Sequence, residues 1–279
     1  MSLTLLLALA AGALIGLSLG ALGGGGSILA VPVLLALGQS ASQATTGSLV
    51  VVGVTSLAGA VTAHRGGNVL LARGVAFGAV ATGGAVIGAR ASAAVPEPVL
   101  LAAFAALMLG VGGLMAVRQW RAHRTRGQEG PGAHADRPRL DDPIITFSPT
   151  FACQCPRALK VLVTATAVGL LTGFLGVGGG FLVVPALLLA LALPMQYAAG
   201  TSLVVITITT GTALLARAGS GIAPDWSLVA ALTVTAALGS IAGARLAART
   251  DTRRLSVAFT GLVLVVAAHT AAQAVPALV

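Results

Sequence analysis

Two clusters of glycine are the positions in this sequence at which the backbone itself could bind a ligand. They read Gly23-Gly24-Gly25-Gly26-Ser27 and Gly176-Val177-Gly178-Gly179-Gly180. A glycine in a helix interior destabilises the helix by about 1 kcal/mol relative to alanine, so adjacent glycines favour an unwound stretch. An unwound stretch followed by a helix N-terminus exposes backbone N–H groups, and these favour an anion. We therefore predict an anion-binding role for both clusters, with close helix packing as the alternative explanation.

Hydroxyl side chains follow each glycine cluster at a similar distance. The first group is Thr45, Thr46 and Ser48, and the second group is Thr201 with Ser202. A hydroxyl can donate to an oxyanion without adding a charge that lipid would penalise. The alternative is a local role, in which each hydroxyl caps a helix or bonds to the preceding helical turn. These five side chains complete the predicted substrate-binding site.

Other kinds of chemistry lack the residues that they need. Neither glycine cluster is followed by Gly-Lys-Ser/Thr or has the strand-turn-helix context of a dinucleotide motif, so we predict no nucleotide site and no ATP-driven transport. The two cysteines, Cys153 and Cys155, are separated by one residue, which strains a disulfide, and His134 is the one nearby candidate for a further metal ligand. We predict no metal site, no cofactor and no enzymatic activity.

The composition requires that lipid solvates much of the chain. Hydrophobic residues make up 57% of the sequence and charged residues 8%, against about 25% charged in a soluble domain. Charges are absent from Met1–His64 and from Val161–Ala216, and each stretch is much longer than the roughly 20 residues of one span. We therefore predict an all-α polytopic membrane protein. Met1–Leu22 lacks a positive n-region, so we expect it to be retained as the first membrane segment.

The membrane sequence is duplicated. Gly16–Pro32 and Gly169–Pro185 share a register of glycine and proline at a constant offset of 153 positions. The matched residues are Gly16, Gly20, Gly23, Gly25, Gly26 and Pro32 with Gly169, Gly173, Gly176, Gly178, Gly179 and Pro185. Later matches, at offsets of 154 and 155, are Gly47–Val50 with Thr201–Val204 and Gly88–Arg90 with Gly243–Arg245. We predict two homologous halves, with Pro32 and Pro185 in a structural role.

Apolar runs predict five membrane segments in each half. In the first half they lie near 3–22, 27–38, 43–63, 74–94 and 98–118. In the second half they lie near 158–175, 180–193, 197–216, 226–247 and 254–275. The second segment of each half follows a glycine cluster and is shorter than the roughly 17 residues of a simple span, so it is broken, re-entrant or tilted. The predicted domains are a first membrane repeat (1–118), a polar linker (119–156) and a second membrane repeat (157–279).

The distribution of Lys and Arg predicts the orientation in the membrane. If every segment crosses once, His64–Arg73, the linker and Arg245–Arg254 share one side, which carries most of the basic residues. The opposite side holds Arg90 with Glu97, and Arg217 with Asp225. The positive-inside rule then places the linker in the cytoplasm of a bacterial cytoplasmic membrane, and it accounts for the net charge of +9 without a nucleic-acid partner. Five crossings per half make the repeat inverted, whereas re-entrant short segments would make it parallel.

In the duplicated element the sequence resembles the sulfite exporter TauE/SafE family. The resemblance lies in LGGGGSILAVP with QATTGSLV in the first half, and in LGVGGGFLVVP with QYAAGTSLV in the second half. It covers nearly the whole chain except the linker. The resemblance implies export, or at least transport, of small sulfur-containing anions such as sulfite or organosulfonates.

The predicted segments contain no acidic residue, whereas transporters coupled to cations often place Asp or Glu inside a span. We therefore predict a secondary transporter, an exporter, of a small anion such as sulfite, an organosulfonate or a related sulfur-containing oxyanion. The alternatives are a passive anion channel and a membrane enzyme or assembly factor without transport activity. The expected partners are the anion and the lipid bilayer, and homo-oligomerisation is left open.

Overall fold

In the computed structural model of the chain, the described residues are 3–92, single positions between 95 and 117, 155–175, 180–191, 193, 195–218, 223–247, 257 and 261. They form eight helices, and no strand occurs among them. The first half contains α1 (Leu3–Leu22), α2 (Ser27–Ala36), α3 (Ala41–Arg65) and α4 (Leu71–Ser92). The second half contains α5 (Cys155–Leu175), α6 (Gly180–Ala190), α7 (Met195–Arg217) and α8 (Trp226–Ala247). The predicted all-α class is confirmed, whereas the predicted segments 98–118 and 254–275 lie outside the described residues apart from single positions.

Helix length separates α2 and α6 from the other six helices, which have 20 to 25 residues each. Four helical stretches are long and apolar enough to cross a membrane, namely Ser42–Arg65, Leu71–Ser92, Tyr197–Arg217 and Trp226–Leu246. By contrast, α2 has 10 residues and α6 has 11. At a rise of 1.5 Å per residue each is about 15–17 Å long, roughly half of a bilayer's hydrocarbon core. The second segment of each half is therefore short, as the sequence predicts.

The outer surface of the helix bundle is apolar. Many large hydrophobic side chains are more than half exposed, among them Leu6, Leu14, Leu57, Ile87, Leu215, Val234 and Leu238. Polar side chains are buried instead, among them Ser27, Thr45, Ser48, Thr55, Ser56, Thr201, Ser202, Thr209, Thr210 and Ser240. A water-soluble fold would bury the first set and expose much of the second. The chain is therefore a multi-pass membrane protein whose bundle interior carries the polar groups.

Side-chain hydrogen bonds cap the N-termini of two of the long helices. At α3, the backbone N–H of Gln43 donates to Ser40 Oγ (3.4 Å) and the N–H of Ser40 donates to Gln43 Oε1 (3.2 Å). At α8, Asp225 Oδ1 accepts from the Ser227 hydroxyl (2.7 Å) and from the N–H groups of Ser227 (3.0 Å) and Leu228 (3.4 Å). These bonds satisfy donors that a helix start leaves without partners inside the helix.

The cap at Asp225 predicts a pH-dependent contribution to stability. Hydrogen bonds from the Ser227 hydroxyl and from the N–H groups of Leu228 and Ser227 hold the pKa of Asp225 below its ordinary value of 3.8. The stabilisation is therefore present above that value and is lost as the pH falls through the lower pKa of the folded state. We expect Asp225→Ala to lower the unfolding temperature of the purified protein slightly at pH 7, with a difference that shrinks in strong acid. An equal difference at every pH would contradict this account.

Glycines bring α1 and α8 into backbone contact. A Cβ atom on Gly16 would overlap the carbonyl of Ala236, and one on Gly20 would overlap the carbonyl of Ser240. From the first contact to the second, the residue number rises in both helices, so α1 and α8 run parallel. Small residues spaced by four allow helices in a membrane to approach this closely.

The second close helix pair is α4 with α5. A Cβ atom on Gly169 would overlap the carbonyl of Ala81, and one on Gly173 would overlap the carbonyl of Ala85. These helices also run parallel, because both positions again advance together. The first helix of each half thus packs along the fourth helix of the other half.

The centre of the bundle is the crossing of α3 with α7. The hydroxyls of Ser56 and Thr207 are hydrogen-bonded at 3.0 Å, and a Cβ atom on Gly53 would lie 3.1 Å from Thr210 Oγ1. From the contact of Gly53 to the contact of Ser56, the residue number rises in α3 and falls in α7, so these two helices are antiparallel.

Two further contacts relate the remaining long helices. Between α3 and α8, Gly47 lies nearest to Val229, and Gly59 lies nearest to Ser240. Between α4 and α7, Gly74 lies nearest to Thr201, and Gly78 lies nearest to Ile208. In both pairs the positions advance together, so α3 is parallel to α8 and α4 is parallel to α7.

Candidate functional site

The first glycine cluster separates α1 from α2. α1 ends at Leu22 and α2 begins at Ser27, and Gly23 has a φ of +74°, a left-handed conformation that favours glycine. The N–H and the hydroxyl of Ser27 both donate to the carbonyl of Gly24, at 3.2 and 2.7 Å. The chain is therefore unwound at this cluster, in agreement with the expectation from its glycines.

The second cluster lies between α5 and α6, and its last residue touches the first cluster. α6 begins at Gly180, whereas the predicted site residues Gly176, Gly178 and Gly179 lie outside the described residues. A Cβ atom on Gly24 would overlap the carbonyl of Gly180. A Cβ atom on Gly180 would lie 2.7 Å from the carbonyl oxygen of Gly24 and 2.7 Å from Ser27 Oγ. The N-termini of α2 and α6 therefore meet in the interior of the bundle.

The other residues of the predicted element support this meeting point by packing. Gly25 is buried, and a Cβ atom on Gly26 would overlap backbone atoms of Ile15 and Leu19 in α1. Pro32 and Pro185 each occupy the sixth position of their short helix. A proline inside a helix removes a backbone hydrogen bond and crowds the preceding turn, so both prolines disfavour a longer, regular helix.

The two second-half hydroxyls have different neighbours, and Ser202 is the one whose hydroxyl lies beside Gly23 of the first cluster. A Cβ atom on Gly23 would lie 2.6 Å from Ser202 Oγ, and this hydroxyl donates to the carbonyl of Ala199 at 2.7 Å. Thr201 Oγ1 accepts a hydrogen bond from the N–H of Leu70 at 3.1 Å, immediately before α4. Thr201 thus holds the start of α4, a role that its sequence context does not reveal.

The first-half hydroxyls bond to their own helix. Thr45 and Thr46 both donate to the carbonyl of Ser42 at 3.0 Å, and Ser48 donates to the carbonyl of Thr45 at 2.8 Å. A hydroxyl has a single O–H donor, so in this conformation these groups present lone pairs to their surroundings. The local bonding that the sequence leaves as an alternative is therefore present, and the role of these hydroxyls in substrate binding stays a prediction.

Arg217 is a half-buried arginine that the sequence reasoning missed, because it reads as a loop charge beside Asp225. From the end of α7 its guanidinium donates to Thr45 Oγ1 (2.9 Å), to Ser92 Oγ (2.7 Å) and to the carbonyl of Gly173 (3.3 Å). These acceptors belong to α3, α4 and α5. An arginine at the end of a helix that is otherwise uncharged was the available signal.

In the part of the chain that the structure describes, no group of three or more His, Cys, Asp or Glu side chains could hold a metal ion. Cys153 lies outside the described residues, and Cys155 begins α5.

Comparison with known proteins places these features in a family. The family model of the sulfite exporter TauE/SafE matches residues 8–270. A probable membrane transporter protein of Xylella fastidiosa (strain Temecula1 / ATCC 700964) is 34% identical over 205 residues, which cover 73% of this chain and 70% of the relative. A probable membrane transporter protein of Xylella fastidiosa (strain 9a5c) is 32% identical over 248 residues, which cover 88% and 86%. No solved structure matches this chain.

Proposed function

Because this chain belongs to the sulfite exporter TauE/SafE family of membrane transporters, we propose that it is a secondary transporter that exports a small anion. Sulfite, an organosulfonate or a related sulfur-containing oxyanion is the substrate class that we propose. Its place is the bacterial cytoplasmic membrane, with the polar linker 119–156 in the cytoplasm. Its partners are the anion and the surrounding lipid.

The meeting of two helix N-termini at Gly24 and Gly180 is the observation that carries the choice of an anion. The N-terminus of a helix has a partial positive charge and orphan backbone N–H groups. Two such ends that converge inside an apolar bundle favour a negative ligand, and secondary transporters bind anionic groups at broken helices in this way.

We also propose that the two halves form an inverted repeat of about five segments each. At the offsets of the sequence repeat, the contact of Gly16 with Ala236 corresponds to that of Gly169 with Ala81. The contact of Gly53 with Thr210 likewise corresponds to that of Thr207 with Ser56. Contacts that exchange in this manner support two halves related by a two-fold axis.

The helix directions support inversion rather than a parallel repeat. α1 is parallel to α8, and α8 is parallel to α3. α7 is antiparallel to α3 and parallel to α4, which in turn is parallel to α5. The first helices of the two halves, α1 and α5, therefore point in opposite directions. Because Ser27 and Gly180 are equivalent positions in contact, the proposed anion site lies on the axis that relates the halves.

Transport by the purified full chain in proteoliposomes tests the proposed function. We expect vesicles loaded with sulfite in oxygen-free buffer to move it against its own gradient when a proton or sodium gradient is imposed, and protein-free vesicles not to do so. Flux that only equilibrates sulfite, whatever gradient is imposed, would assign the chain to the passive channels. The absence of flux for sulfite and for a panel of organosulfonates would contradict the proposed substrate class.

A further inference from the structure

The hydroxyls near the glycine clusters leave an oxyanion short of donors. The O–H groups of Ser27 and Ser202 donate to the carbonyls of Gly24 and Ala199, both at 2.7 Å. Thr45 also donates to its own helix. A bound oxyanion has several lone pairs and no proton to give at neutral pH, so it needs N–H or O–H donors from the protein. Those donors must come from another side chain or from the backbone.

Arg217 has donors to spare. A guanidinium has five N–H donors, and three hydrogen bonds to Thr45, Ser92 and Gly173 account for three of them. The Nε atom is fully buried, and its N–H has no acceptor. A buried donor without a partner is costly in a folded protein, so it points to a group that binds there.

The charge of Arg217 also lacks compensation within the described part of the chain. Its three acceptors are two hydroxyls and a carbonyl, all neutral. The one acidic residue in the described ranges is Asp225, which is fully exposed and caps α8. Arginine stays charged at any physiological pH, and a charge inside a membrane protein is normally paired.

The polar cluster formed by Arg217, Thr45 and Ser92 has no counterpart at the equivalent positions of the sequence repeat. At the offsets of the repeat, the positions equivalent to Arg217, Thr45 and Ser92 are Ala63, Ala199 and Ala247. Arg217 of the second half meets Thr45 and Ser92 of the first half, whereas the three equivalent positions are all alanine, so the duplication contains this polar cluster once. Packing alone needs no such difference between the halves.

We propose that the Arg217 guanidinium, held by Thr45 and Ser92, is a binding site for a small oxyanion at the junction of α3, α4, α5 and α7. This inference rests on the proposed function, because it takes the transported anion as the ligand. With the linker in the cytoplasm, the end of α7 lies on the extracytoplasmic side, so this site is the one from which an exported anion leaves.

Binding of sulfite to the purified full chain in lipid nanodiscs, measured by calorimetry in oxygen-free buffer, tests the site. We expect Arg217→Gln to raise the Kd for sulfite at least about tenfold, because charge-assisted hydrogen bonds are lost. Arg90→Gln is the matched control, since it removes an exposed arginine from a helix end, and its Kd should stay within about twofold of wild type.

Ser92→Asp separates ligand binding from a purely structural role of Arg217. It keeps the arginine and gives it a carboxylate, which should occupy the guanidinium and raise the Kd for sulfite at least about tenfold while the protein stays folded. Ser92→Asn has similar size and keeps a neutral acceptor for the guanidinium, so its Kd for sulfite should rise several-fold less than that of Ser92→Asp. If Arg217 only braces the helices, Ser92→Asp strengthens the brace and leaves sulfite binding unchanged.

The outcomes distinguish this inference from the proposed function. A wild-type protein that transports sulfite, with an affinity unchanged in both Arg217→Gln and Ser92→Asp, overturns the inference alone. If Arg217→Gln fails to fold, the comparison of Ser92→Asp with Ser92→Asn decides by itself. A wild-type protein that neither binds nor transports sulfite or organosulfonates overturns the proposed function and the inference together.

Discussion

Replacing Gly24 by valine is expected to abolish transport, with the rate of sulfite flux in proteoliposomes falling at least about a hundredfold. A Cβ atom at this position would overlap the carbonyl of Gly180, so even the smallest side chain forces the N-termini of α2 and α6 apart. The two helix ends then no longer face one anion, and the dipole field that each contributes falls off within a turn of the helix.

Gly211→Val provides the matched control for Gly24→Val. Gly211 lies in α7, and a Cβ atom there would meet nothing within 4 Å. We expect this variant to insert and to transport at the wild-type rate. Size-exclusion chromatography and the unfolding temperature establish that each variant is folded before its flux is compared. A folded Gly24→Val protein with wild-type flux would remove the contact of the two clusters from the transport mechanism.

Replacing Gly16 or Gly169 by leucine is expected to prevent assembly of the folded bundle. At both positions the side chain would run into the backbone of a parallel neighbour, Ala236 in α8 or Ala81 in α4. Inserting a few methylenes into a packed core costs about 1–3 kcal/mol, and here the obstacle is backbone that cannot change rotamer. We expect the yield of monodisperse protein to fall severely and to a similar extent for both variants.

Gly83→Leu is the control for the two packing variants, because a Cβ atom at Gly83 in α4 meets nothing within 4 Å. Its yield and unfolding temperature should match those of the wild type. A normal yield for Gly16→Leu together with a severe loss for Gly169→Leu would contradict the proposed equivalence of the two halves. That result would leave the sequence repeat without a matching pair of interfaces.

The positions of the helices could be predicted because their causes are local. Long uncharged runs require helices in lipid, and the glycine clusters end α1 before Ser27 and α5 before Gly180. The start of α8 was also within reach, since Asp225 directly precedes an apolar run and is a favoured cap. The sequence analysis uses Asp225 only as a loop charge on the same side of the membrane as Arg217.

The partners of each helix and the state of each hydroxyl could not be predicted. Hydropathy identifies a segment as a membrane helix but not which helix it contacts, so it does not predict that α1 packs on α8. A serine or threonine in a helix can bond to its own backbone or to a ligand, and its sequence context is identical in both cases. Arg217 likewise has a long side chain that can reach either the interface or the interior.

The pairing of α1 with α8 also has a consequence for how the protein is made. Gly16 and Ala236 are 220 positions apart, so at about 5–20 residues per second the ribosome completes the second some 10–45 seconds after the first. During that interval the glycine face of α1 must contact lipid or a temporary partner. Ala81 and Gly169 are only 88 positions apart, so α4 can pair with α5 much earlier. α1 therefore enters the membrane before α4 but reaches its final helix partner later.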